Sequence, residues 1–178
     1  MRWIWIDRFV EFKPGVSATA VKNVSLAEEH LHDHWEDFPM MPASLIIEGM
    51  AQTAGMLVGQ ARDFQEKVIL AKISKAELPE PVLPGDQLRY HAEITTITDQ
   101  AASTHGTVFK NDREIGTIDL MFSHIDQNLQ GMKFPEENFV FTGQFLRLLA
   151  GFDLKPPPAG AASSGPDRPG QAPEAPAK

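Results

Sequence analysis

Residues 42–64 are the only stretch of this chain that reads as a long helix, and it is apolar on nearly every side. Leu45, Ile46, Ile47, Met50, Leu57 and Val58 leave no broad polar stripe. A helix of that kind is buried, not laid on a surface. Pro42 suits a first-turn position, and Ser44 is placed to help cap it. What buries the helix must come from the rest of the chain, and the rest reads as strands. Residues 3–12 and 18–24 precede it, with Pro14-Gly15 as the turn between them. Residues 68–75, 87–97, 101–110 and 113–124 follow it. Pro84-Gly85-Asp86 makes a turn, and Asn111-Asp112 reads as a tight hairpin. One central helix and a largely antiparallel sheet give an α+β layer arrangement.

The helix carries two further signals. Gly49, Gly55 and Gly59 each cost about 1 kcal/mol relative to alanine in a helix interior, so a backbone or a second helix is expected to approach closely. Glu48 and Gln52 interrupt the apolar run at i, i+4 and share a face. A carboxylate among apolar neighbours is expensive unless it is paired or neutral. Fourteen positions upstream stands His34, in a loop that also holds His30 and His32. An imidazole takes up a proton near neutral pH, and a carboxyl group kept neutral by its surroundings can give one. Elimination of water needs both: one group removes a proton beside a carbonyl, the other protonates the departing hydroxyl.

The remaining composition narrows the field. The chain has 178 residues, the size of one domain with flanking segments, and no cysteine, so disulfides, thiolate metal sites and cysteine nucleophiles are excluded. A net charge of −8 argues against nucleic acid as a partner. No segment approaches the roughly 20 apolar residues of a membrane span, and a cytoplasmic location is expected. Residues 156–178 contain seven of the 14 prolines and no Ile, Leu, Val or aromatic residue, which reads as a disordered tail. The expected organisation is a domain over 1–126, an extension over 127–155 that packs on it, and that tail. Phe139-Val140-Phe141 reads as a short strand, and Phe145 to Leu149 as an amphipathic helix. Closing the core is the favoured role for this segment, ahead of covering an acyl entrance or making an oligomer contact.

Two motifs are decoys. His30, His32 and His34 would share a face on an extended strand, but no further set with ligand spacing follows, so no metal site is expected. Ser44 lacks the Gly-x-Ser-x-Gly elbow of a nucleophile.

The segment from His34 through Met40-Met41-Pro42-Ala43 into Leu45-Ile46-Ile47-Glu48-Gly49-Met50-Ala51-Gln52 resembles the hotdog-fold (3R)-3-hydroxyacyl-acyl carrier protein dehydratases of fatty acid synthesis. In that family a His-Phe-Pro-Gly-x-Pro-x-Met-Pro-Gly stretch runs into a similar helix. Aligned on Met41-Pro42, His34 falls on the family histidine and Glu48 on its glutamate. Ile6-Asp7-Arg8, Phe12-x-Pro14-Gly15, Lys22-Asn23-Val24-Ser25, Pro84-Gly85-Asp86 and Leu120-Met121-Phe122 extend the match over residues 3–124. The resemblance implies a hotdog fold, with a long central helix wrapped by a curved antiparallel sheet. It implies sheets joined edge to edge in a homodimer or trimer of dimers, with His34 and Glu48 of each site from different chains. His34 would be the base at C2 and Glu48 the acid at the C3 hydroxyl. The N–H of Ala43 would polarise the thioester carbonyl, the carbonyl of Met40 would orient the histidine, and Gln52 would support the glutamate. The substrate would be an acyl carrier protein or coenzyme A thioester in an apolar tunnel given room by the three glycines, with no cofactor.

Against the family pattern, the usual N-terminal Leu-Pro-His-Arg-Tyr-Pro segment is absent and the 127–155 addition is unusual; the other departures are local. Glu36-Asp37 replaces Pro-Gly after the histidine, and acidic neighbours favour a charged imidazole. Ala43 replaces a glycine and needs a negative φ. A hotdog acyl thioesterase and a non-catalytic acyl-binding module remain the alternatives.

Overall fold

The structure, a computed structural model, describes residues 3–33, 37–125, 140–141 and 143–152. The strands are β1 (Arg8–Lys13), β2 (Ser17–Asn23), β3 (Val68–Glu77), β4 (Gln87–Ile97), β5 (Ala101–Lys110) and β6 (Arg113–His124). The helices are α1 (His30–Asp33), α2 (Ala43–Gln60) and α3 (Gly143–Arg147). All six strands form one antiparallel sheet in the order β1-β2-β4-β5-β6-β3, interrupted by bulges that bend it. The sheet curves around α2, which lies chiefly against β4. This is the expected hotdog architecture.

Period two decides which side chains meet the helix. On β4, Leu88, Tyr90 and Ala92 are buried while the residues between them are not. On β6, Ile118, Leu120, Phe122 and His124 point the same way. Met41, Ile46, Met50, Ala54, Met56, Leu57 and Val58 complete the core from the helix side. The β5–β6 turn has φ of 49° at Asn111 and 67° at Asp112, the left-handed pair that a two-residue hairpin requires.

The outcome departs from expectation in several places. Residues 3–6 do not join β1. Their backbone is instead hydrogen-bonded by a side chain of α2, an alternative to a strand ladder that satisfies the same groups. The long helix stops at Gln60, not Phe64. Asp63 and Phe64 take positive φ, and the Phe64 N–H folds back on the Gly59 carbonyl at 2.8 Å, which buries the Phe64 ring. Ser44 is exposed and makes no cap; Pro42 occupies the cap position without a side-chain bond. His30 and His32 lie in the short helix α1, so their side chains do not share the face that an extended strand would give them.

Phe141 and Leu149 are buried in the core, with Val140, Phe145, Leu146 and Phe152 against it. Val140 and Phe141 are not in a strand, and Gly143–Arg147 is a single helical turn and a half. Residues 126–139, including Phe139, and the 156–178 tail lie outside the described residues.

Candidate active site

Glu48 stands in the second turn of α2, half-buried. One turn further on, Gln52 is buried and connects three groups. Its Nε2 donates to Glu48 Oε1 at 2.8 Å and to the Trp3 carbonyl at 3.0 Å. Its Oε1 accepts the Trp5 N–H at 2.7 Å. The i, i+4 spacing visible in the sequence thus becomes a clasp. One amide fixes a carboxylate oxygen and binds the N-terminal backbone to the helix. An amide donor on one carboxyl oxygen fixes which way the group turns, so this contact orients Glu48 as well as satisfying it.

The carboxylate faces a pocket of about 280 Å³. Ala51, Gly55 and Met56 of α2 line it with Val68, Ile69 and Leu70 of β3 and Phe122 of β6. Trp3 stands beside Glu48 and Gln52, and Val140, Phe141 and Phe145, from the segment after β6, add apolar wall. Glu48 and Gln52 are the only hydrogen-bonding side chains among these residues apart from the exposed Trp3 indole. An apolar slot with a few fixed polar groups is the usual form of a small-molecule site.

Ala43 opens α2, is exposed, and has negative φ, so alanine is accommodated where the family pattern has glycine. As a first-turn residue it presents an N–H without an intrahelical acceptor, at the positive end of the helix dipole. Met40 is half-buried just before it, and the Met41 N–H is anchored to the Val82 carbonyl at 2.8 Å. His34 and Glu36 lie outside the described residues; Asp37, which follows them, is exposed.

The helix glycines differ from one another in a way the sequence does not reveal. A Cβ at Gly49 would lie 2.6 Å from Tyr90 Cζ, and one at Gly59 would lie 2.2 Å from Phe141 Cζ. Aromatic rings fill both positions, neither a backbone nor a second helix. Gly55 alone lines the pocket, its nearest neighbour Phe122 Cε1 at 3.5 Å. The expected widening by all three glycines is therefore corrected to one. Trp3, Phe122 and Phe141 line the pocket, a place the sequence did not assign to them; for the segment holding Phe141 it had offered an acyl entrance only as the less favoured reading.

The remaining histidines are used elsewhere. His91 Nδ1 pairs with Thr19 Oγ1 at 2.9 Å, His105 Nδ1 with Asp119 Oδ1 at 2.6 Å, and the buried His124 with Glu66. Among the described residues no three His, Asp or Glu side chains converge as metal ligands, and no helix is long and apolar enough to cross a membrane.

Comparison with known proteins gives a consistent result. The model of the FabA-like domain matches residues 3–118, well over half the chain. The 3-hydroxyacyl-(acyl-carrier-protein) dehydratase FabZ of Koribacter versatilis (strain Ellin345) is 36% identical over 110 residues, covering 61% of this chain and 70% of that protein. Among solved structures, the dehydratase heterocomplex ApeI:P from Xenorhabdus doucetiae superposes with a TM-score of 0.59 at 15% identity, over 68% of this chain and 83% of that one. The uncharacterized protein PH1136 from Pyrococcus horikoshii gives 0.58 at 14% identity, over 71% and 88%. At such identities the structural likeness speaks for the fold alone.

Proposed function

This chain belongs to the FabA-like family of hotdog-fold dehydratases, and on that premise we propose that it dehydrates (3R)-3-hydroxyacyl thioesters, carried on an acyl carrier protein, to trans-2-enoyl thioesters. The observation that carries this reading is a single carboxylate, Glu48, held by Gln52 in the wall of an apolar pocket.

In this mechanism His34 removes a proton from C2, and that C–H electron pair becomes the C2–C3 double bond. The C3–O bond breaks, and Glu48 supplies the proton with which the hydroxyl departs as water. Proton transfer by a positioned group of each kind contributes typically 10²–10⁴-fold. The Ala43 N–H donates to the thioester carbonyl, where negative charge grows as the C2 proton leaves, and the helix N-terminus favours that charge. The carbonyl of Met40 orients the His34 ring. Gln52 holds the Glu48 carboxyl group toward the pocket. His34 reaches Glu48 across a dimer interface, each chain supplying one of the pair to a shared site.

The test is hydration of a crotonyl thioester, the reverse reaction, on carrier protein and on coenzyme A in parallel. Turnover by the wild-type chain that drops by about 10³-fold or more in His34→Ala and in Glu48→Gln, with unchanged circular dichroism, is the expected result. Full activity in both variants would overturn the assignment. Hydrolysis of the thioester in place of hydration would mark a thioesterase, and binding without turnover an acyl-binding module.

A further inference from the structure

We propose that Phe141 sets the longest acyl chain this site accepts, and that the limit falls at medium chains of about ten carbons. The inference rests on the dehydratase reading above. Glu48, Gln52, Gly55 and Gly59 follow at i, i+4, i+7 and i+11, which places them on one stripe along α2. The pocket follows this stripe. Glu48 and Gln52 line it with Trp3, and Gly55 lines it a turn further on. At Gly55 the stripe is open, with nothing nearer to an added Cβ than Phe122 at 3.5 Å. One turn later it is shut. At Gly59 the Phe141 ring occupies the space a side chain would take, at 2.2 Å from an added Cβ.

The ring that closes the stripe is itself held. Phe141 is 3% exposed, and Phe64 meets it edge-on with centroids 5.1 Å apart. Phe64 is in turn set by the positive-φ turn that ends α2. Phe141 is thus a stop bedded in the core, unlike a side chain that swings aside in solvent. It comes from outside the 3–118 stretch that the family model matches.

The length follows from helix geometry. Seven residues from Glu48 to Gly55 span about 10 Å. An extended chain advances about 1.2 Å per bond, from about 3.6 Å over three backbone bonds. With C3 of the substrate at Glu48, about eight further bonds reach Gly55, the last open position, and the roughly 4 Å contact distance of the Phe141 ring takes up most of the remaining turn to Gly59.

The experiment measures kcat/KM of the full chain on (3R)-3-hydroxyacyl thioesters graded from butanoyl through decanoyl to hexadecanoyl. The same lengths are titrated as unreactive acyl-pantetheine amides by calorimetry. Wild type should fall off sharply beyond decanoyl. Phe141→Ala should raise the hexadecanoyl-to-octanoyl ratio by about tenfold or more, the scale on which an apolar pocket discriminates added methylenes. Gly55→Ala, whose new methyl meets only ordinary contacts, should shift preference toward shorter chains and carries the test if Phe141→Ala does not fold. A wild type that accepts hexadecanoyl as readily as octanoyl, or variants with the parental profile, would overturn the proposal. If no thioester turns over, the dehydratase reading fails, and the calorimetric series decides the stop separately. A Kd minimum at medium chains that moves in the variants supports it; a flat series overturns it.

Discussion

Tyr90 and Gly49 show how one residue's shape is set by another's absence. The Tyr90 ring is fully buried between helix and sheet, and its hydroxyl has no hydrogen-bond partner among the described residues. Burial first, then the charges of Asp7 and Glu28, push its ionisation upward, so the phenol stays protonated. Gly49→Ala gains about 1 kcal/mol of helix propensity. It also drives a methyl into a ring that cannot move, a strain of typically 1–3 kcal/mol. The net expectation is destabilisation, whereas Gly55→Ala should be neutral or stabilising by up to about 1 kcal/mol. Tyr90→Phe should lose almost nothing, because the deleted hydroxyl satisfies no partner. Urea unfolding of the three variants checks this order; equal effects of the two alanines would refute it. The sequence announced that something lies close to these glycines. It could not say what, because Tyr90 and Phe141 stand 41 and 82 positions from Gly49 and Gly59 and only the folded chain brings each ring to its glycine.

Among the elements, the loop between β3 and β4 has the most to do with the start of α2. Its Val82 carbonyl anchors Met41, just ahead of Ala43. The same loop is tied to the β5–β6 hairpin through Glu80, which accepts from both terminal nitrogens of Arg113 at 2.5 Å and lies 3.4 Å from Lys110. The Arg113 hydrogen bonds hold the Glu80 carboxyl down at about 2. A carboxylate depressed in the folded state stabilises above its unfolded value of about 4.3, and the benefit disappears as pH falls through the folded value. The group is partly open to solvent, so the effect is small and salt-sensitive. Glu80→Gln should therefore melt slightly below wild type at neutral pH in low salt. The two curves should converge as pH falls toward 2 and when salt is added; a constant gap across that range would contradict the assignment. The four later strands were legible as elements because alternation is a local signal, and three of them have the expected bounds. Residues 3–6 were not, since a side-chain amide 46 positions beyond Ile6 holds their backbone. The i, i+4 pair Glu48 and Gln52 was legible, whereas the aromatic wall opposite it was not.

For the whole molecule the open question of assembly falls on β3. It is ten residues long, ends the sheet, and exposes Leu70 and Ile73 beside Met121 of β6. A long edge strand with exposed apolar side chains is a place where another strand adds. Edge-to-edge pairing through β3 is the dimer that the shared-site mechanism calls for. Ile73→Lys should shift light scattering from dimer toward monomer and reduce turnover in step, while the monomer's circular dichroism is kept. A monomeric wild type with full activity would break that link. The Gln52 clasp has a practical side as well. Because it pins the Trp3 carbonyl beside Glu48, the backbone at Trp3 is fixed next to the carboxyl group. An affinity tag fused at the N-terminus should therefore lower turnover relative to the same tag fused at the C-terminus; equal turnover of the two fusions would count against it.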